Sequence, residues 1–260
     1  MVEDGVGRIL VSIDPMTTST ARDQPAWQGS FNLADVGGLP LRNGGVTRSG
    51  RLFRSGRPDC VTSDGWRAAR AAGVTTVIDL RNPGENALEA EAPVVEADAM
   101  EGIRFVSCPT EDPDDPQFIE TCGAWLDHPR SYPDNIRLYP EKFATVFREI
   151  AKAEDAVLVH CAAGRDRTGM VMAMLLHLTG VTPGAIVDDY VAAAIRFNAG
   201  LGVEPGLTAE TAHSAGVMED RIASRRPALL AWLASLDARA YLRDAGLSEA
   251  EIDSLRRLLD

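Results

Sequence analysis

The tightest constraint on this chain is one unbroken stretch, "AVLVHCAAGRDRTGMVMAMLLHL", residues 156–178. "AVLVH" is a continuous apolar run of strand length, which fits a strand covered on both faces inside a parallel sheet. "TGMVMAMLLHL" is apolar almost all round, so as a helix it must be buried. Only a short Gly-containing loop joins them. A buried strand turning at once into a buried helix is half of a βα crossover unit, and that selects an α/β architecture.

The rest of the chain agrees with that choice. "TSDGWRAARAAG" reads as a short helix capped by Thr62 or Ser63 and ended by Gly73. "VTTVIDL" (74–80) and "IRFVSCP" read as strands, and "NLADVGGLPL" and "GRLFRSGRPD" as short extended segments. "YPEKFATVFREIAKAED" places Phe143, Val146, Phe147 and Ile150 on one helical face. "TEDPDDPQF" through "HPRSYPDN" is acidic and Pro-rich, an irregular surface excursion with room for one short helix. Helices are expected at "TPGAIVDDYVAAAIRFN", around 217–225, at "PALLAWLASL" and at "SEAEIDSLRRLLD". Strands and helices alternate early and helices cluster late. The expectation is a central, mostly parallel sheet flanked by helices, with a C-terminal helical layer or lid. Residues 1–25 read as weakly ordered and 26–260 as a single domain.

A net charge of −12 argues against nucleic acid as a general partner. No apolar run reaches membrane-span length, so no membrane insertion is expected. The opening "MVEDGVGRILVSIDPM" is a poor signal peptide, which makes the cytoplasm the default address and leaves export by a route without such a signal open. The four cysteines form no CxxC pair, and His128, His177 and His213 share no ligand spacing, so neither metal nor cofactor is assigned. Cys60, Cys108 and Cys122 read as buried thiols.

Cys161 is different. It opens the loop between strand and helix, where backbone amides converge and the helix dipole adds positive potential. Those amides, the dipole and Arg167 should favour a thiolate nucleophile. The guanidinium fork of Arg167 suits two oxygens of a phosphoryl group. Gly164 lets the loop turn, Gly169 lets the helix pack closely, and Thr168 is placed to hydrogen-bond the sulfur. The phosphate cradle is therefore expected to comprise Cys161, Ala162, Ala163, Gly164, Arg165, Asp166 and Arg167, with inorganic phosphate as its simplest occupant.

"HCAAGRDRTG" resembles the Cys-x5-Arg signature of the protein tyrosine phosphatase superfamily, and more closely the bacterial group whose loop reads HCxxGKDRTG. "FNLADVGGLPL", "GRLFRSGRPD", "VIDLRNPGE", "IVDDYV" and "YLRDAGLSEAEIDSLRRLL" fit the same group, from about Phe31 to Leu259. The resemblance implies a tyrosine-phosphatase-like fold and a metal-independent, cysteine-based phosphatase. Its substrate would be a phosphorylated protein, on tyrosine and in some members serine or threonine, or a phosphoinositide. It further implies that His160 orients the loop. A hinged cover is implied over about 184–225, a region that reads equally well as a plain helical hairpin. Arg165 stands where the group has lysine, a residue linked there to inositol lipids, so a lipid substrate stays open. A silent phosphate-binding module is the competing class; it usually lacks the Cys or the Arg.

The proton donor to the leaving group has several candidates. Asp166 matches the aspartate of the group's loop, although its two arginine neighbours favour the ionised form. Asp112, Asp114 and Asp115 lie in the irregular "TEDPDDP" segment. Asp79, followed by Arg81 at the end of a strand expected beside "AVLVH", is a further candidate acid or a supporting residue. Arg54 is expected to steer substrate, to pair with Asp79, or simply to form a surface ion pair.

Overall fold

The "AVLVH" run sits at the centre of a five-stranded sheet in the computed structural model, which describes residues 24–86, 92–201 and 210–260. The strands are β1 (Ala34–Asp35), β2 (Leu52–Ser55), β3 (Val74–Asp79), β4 (Arg104–Ser107) and β5 (Ala156–His160), in the order β1-β2-β5-β3-β4. β5 runs parallel to both β2 and β3, and β3 parallel to β4; only β1, on β2, is antiparallel. All of β5 is buried, and its side chains alternate between two cores. Val157 and Val159 enter the larger core, Ala156 and Leu158 the smaller.

Helix α1 (Ser63–Ala71) covers the smaller core through Trp66 and Ala69. Thr62 caps it, its hydroxyl accepting from the Gly65 amide at 3.2 Å, and Gly73 closes it at φ +88°. The larger core is built by α4 (Pro140–Ala151), α5 (Asp166–Leu178) and α6 (Pro183–Gly200) against the other sheet face. α4 buries Phe143, Val146, Phe147 and Ile150, the face its periodicity marks. α5 is buried from Thr168 to Leu176.

Three expectations need correction. The "TEDPDDPQF" to "HPRSYPDN" segment is not irregular: it holds two helices, α2 (Pro116–Cys122) and α3 (Tyr132–Leu138), each carrying a proline in its first turn, where the missing N–H costs nothing. The helices expected around 217–225 and at "PALLAWLASL" are one, α7 (Ala215–Ser235), running through Pro227. Buried residues on both sides of that proline, Arg225 before it and Leu229, Trp232 and Leu233 after it, hold the helix together across the lost bond. The third is α8 (Ala238–Asp244), which local periodicity did not mark; α9 (Glu249–Arg257) follows it behind a capping box of Ser248 and Glu251.

Residues 1–23 of the expected weakly ordered segment lie outside the described residues, as does much of the Gly-rich break in the expected cover. No helix among the described residues is long and apolar enough to cross a membrane.

Candidate active site

The loop from Cys161 to Arg165 is shaped by what its carbonyls do. The Ala162 carbonyl accepts from the Arg57 amide at 2.9 Å. The Ala163 carbonyl accepts from Asn32 Nδ2 at 2.9 Å, and the Gly164 carbonyl from Arg54 Nη2 at 2.9 Å. A trans peptide points its N–H opposite to its C=O. Three successive carbonyls tied outward therefore turn the amides of Ala163, Gly164 and Arg165 inward. The Gly164 amide accordingly donates to Cys161 Sγ at 3.2 Å. Gly164 itself sits at φ +69°, and a Cβ there would lie 2.4 Å from the backbone of Ser55 and Gly56, so this turn admits no side chain.

Arg54 is not on the surface, and it does not pair with Asp79. It is fully buried, pairs with Asp189 of α6, and braces the Gly164 carbonyl. Asp189 and Asn32, neither of them anticipated, are thus part of the loop's support. The signal for Asp189 was its place in "IVDDYV", a polar residue on an otherwise apolar helix stretch.

Arg167 is gripped end-on: Nη1 and Nη2 donate to the two oxygens of Glu85 at 2.5 and 2.6 Å. Burial pushes the Glu85 carboxyl up, but the bonds from Arg167 outweigh it and hold the group below the usual range. Glu111 Oε2 lies 3.7 Å from Arg167 Nε. Asp166, the first residue of α5, accepts from Arg165 Nε on one oxygen at 2.7 Å and from the Tyr190 hydroxyl on the other at 3.2 Å. Arg165 also reaches Glu210 at 3.2 Å and stacks 4.7 Å over the Phe197 ring.

The remaining sequence candidates lie elsewhere. His160 is buried behind the loop, its Nδ1 3.3 Å from the Cys161 carbonyl and its Nε2 3.8 Å from Asp79. Burial pushes the imidazole down to about 4. Asp79 and Arg81 bind each other at 2.7 Å and face a separate cleft with His160, Trp66 and Phe105, so Asp79 does not reach the cradle. The Thr168 hydroxyl is buried without a partner and makes no bond to the sulfur. Asp112 accepts from the Asp114 amide, and Asp115 caps α2 while accepting from the Tyr139 hydroxyl. None of these three aspartates lines the cleft above Cys161; Glu111 and Pro113 of the same segment do. Of the thiols expected to be buried, Cys108 and Cys122 are, while Cys60 is half-buried.

That cleft is about 450 Å³, with Cys161, Ala162, Ala163 and Arg167 among its lining and Phe118 and Leu126 as apolar wall. A thiol at the mouth of a βα turn, facing inward amides and an arginine, defines an α/β protein built to hold an oxyanion against a sulfur.

The chain belongs to the tyrosine phosphatase family, whose model matches residues 25–259, and it is an enzyme of that kind. It is 35% identical over 214 residues to a tyrosine-protein phosphatase of Nostoc commune, covering 73% of this chain and 67% of that one. It is 28% identical over 273 residues to the triple specificity protein phosphatase PtpB of Mycobacterium tuberculosis, covering 89% and 97% respectively. Among solved structures it is similar to P. aeruginosa TpbA in complex with phosphotyrosine, at 17% identity and a TM-score of 0.41, covering 87% of this chain and all of that one.

Proposed function

We propose that this phosphatase hydrolyses phosphotyrosine in proteins through a cysteinyl-phosphate on Cys161, without a metal. The observation that carries the reading is the outward tethering of three successive loop carbonyls, which aims amides at Cys161 Sγ. A phosphoryl group resting on the sulfur would have its equatorial oxygens accept hydrogen bonds from those amides and from Arg167. Glu85 holds two guanidinium nitrogens, so Arg167 is pre-oriented before substrate arrives. The sulfur displaces the tyrosyl oxygen, and water then displaces the sulfur.

The wall of Phe118 and Leu126 suits an aromatic ring above the cradle. Arg165 favours a protein substrate over an inositol lipid, because its charge already faces Asp166 and Glu210. The family resemblance extends the proposal to phosphoserine and phosphothreonine, and the triple-specificity name of PtpB agrees with a substrate range wider than phosphotyrosine.

The test is turnover of p-nitrophenyl phosphate and a phosphotyrosyl peptide with EDTA present, in wild type and Cys161→Ser. Turnover that disappears in Cys161→Ser, while that variant still binds the peptide, is the expected result. Phosphate binding without turnover in the wild type would instead assign a silent module. A higher kcat/KM on a soluble phosphoinositide than on the peptide would move the substrate to lipids.

A further inference from the structure

A second cleft lies on the other side of His160 from the cradle, where β3, β4 and β5 end in Asp79, Ser107 and His160. In a parallel sheet the carboxyl ends of the strands line the crevice that takes ligands. At about 440 Å³ this cleft is nearly as large as the one above Cys161, and the proposed hydrolysis makes no use of it. Its size and its mixture of apolar wall and few polar groups are those of a small-molecule site.

The wall is built around an aromatic pair. Trp66 and Phe105 meet edge to face with ring centres 5.4 Å apart, and Val95 and Met100 complete the surface. Phe105 is 49% exposed, an aromatic ring left open to whatever enters. The floor is Asp59, Asp79, Arg81 and His160. Arg81 is turned onto its carboxylates: Nη1 donates to Asp59 Oδ2 at 2.7 Å, Nη2 to Asp79 Oδ2 at 2.7 Å and Nε to Asp79 Oδ1 at 3.0 Å. Its side chain is 7% exposed, against 19% for Asp59 and 22% for Asp79, so the carboxylates are the groups presented to a ligand.

Two acceptors on that floor lack a donor. Among the described residues Asp59 takes its hydrogen bonds, from Arg57 Nε and Arg81 Nη1, on Oδ2, which leaves Oδ1. His160 Nδ1 lies 3.3 Å from the Cys161 carbonyl. A carbonyl can only accept, so Nδ1 carries the ring hydrogen and Nε2 keeps its lone pair. Nε2 is 3.8 Å from Asp79 Oδ2, beyond hydrogen-bond reach, and the charge of Asp59 also acts on the ring. Burial keeps the imidazole neutral at neutral pH, so Nε2 remains an acceptor there. An acceptor in a residue only 1% exposed costs free energy for as long as it has no donor.

We propose that this cleft is a second ligand site and that its ligand is an arylalkyl ammonium ion. An ammonium group offers N–H donors and no acceptor, the complement of Asp59 Oδ1 and His160 Nε2. Its aryl ring packs against the Trp66–Phe105 pair, whose ring faces also favour a cation. An anionic ligand meets Asp59 and Asp79 before it meets Arg81. The site stands apart from the phosphatase reading, because it requires nothing in the cradle.

The test is calorimetric titration of the full chain with phenethylammonium chloride, which should bind one-to-one. Ethylammonium, which lacks the ring, and phenylacetate, which reverses the charge, should each bind ~10-fold more weakly or worse. Asp59→Asn should weaken binding of phenethylammonium ~10-fold or more, and Phe105→Ala ~5-fold or more. Phe105 is half-exposed, so the second variant covers the case of a poorly folded Asp59→Asn. The cleft above Cys161 also sets carboxylates beside an apolar wall, which makes it the rival location. Leu126→Ala, in that wall, should leave the Kd unchanged, and phenethylammonium should not compete with p-nitrophenyl phosphate. Competition, or weakening in Leu126→Ala in place of Phe105→Ala, would overturn the proposal. Equal binding of phenylacetate, or no saturable binding at all, would overturn it as well.

Discussion

Replacing Arg54 by methionine isolates how a buried ion pair supports the cradle. Arg54 and Asp189 have side chains 0% and 4% exposed, so neither charge has water to fall back on. Removing one member of such a pair typically costs ~3–5 kcal/mol, because the other charge is left buried and uncompensated. For a chain of this size that corresponds to a fall in Tm of about 6–20 °C. The double variant Arg54→Met/Asp189→Leu removes both charges and should recover most of that stability, since an apolar pair of similar volume can replace a buried ion pair. It should not recover activity. The Gly164 carbonyl loses its donor at 2.9 Å in both variants, so the peptide after Gly164 is no longer held outward and its amide no longer held toward the phosphate. Urea or thermal unfolding, followed on the same samples by kcat/KM on p-nitrophenyl phosphate, separates the two effects. A single variant losing less than ~1 kcal/mol would refute the buried-pair argument. A double variant with wild-type kcat/KM would refute the role of Arg54 in shaping the loop.

Two further predictions concern the same loop. Gly164→Ala forces a Cβ to within 2.4 Å of the Ser55–Gly56 backbone at φ +69°; it should cost ~1–3 kcal/mol and reduce p-nitrophenyl phosphate turnover by ~10²-fold. His160 should stay neutral through the physiological range, because burial lowers it from 6.5 to about 4. The unfolded chain then binds a proton that the folded chain refuses, so stability is full above about pH 6.5 and falls as pH drops toward 4. Urea unfolding of His160→Asn should show a shallower loss over that window, and a His160 imidazole NMR signal, assigned by its loss in that variant, titrating near 6.5 in the folded protein would contradict the burial argument.

What sequence alone determined was whatever depends on neighbours along the chain. The run from Ala156 to Leu178 specifies a buried strand, a Gly-containing turn and a buried helix, because hydrophobic periodicity and turn chemistry are local signals. The same run places Cys161 and Arg167 on one loop, and so the nucleophile and the phosphate clamp were legible as candidates. A cap for α1 at Thr62 or Ser63 and the buried face of α4 were legible for the same reason. Local rules misled at Pro227, where the breaker signal was outweighed by Leu229, Trp232 and Leu233 anchoring the helix beyond it.

Tertiary structure alone decided who controls the loop and which partners each carboxyl receives. Asn32 lies 131 residues from the carbonyl it ties, and Arg54 lies 110 from its own. Asp166 carries the family's pattern, and Arg165 and Tyr190 occupy both its oxygens, while Arg167 lies between Glu85 and Glu111 of two distant segments. The protonation of a carboxyl is set by burial and by the charges packed around it, and those partners are assembled from distant segments only when the chain folds.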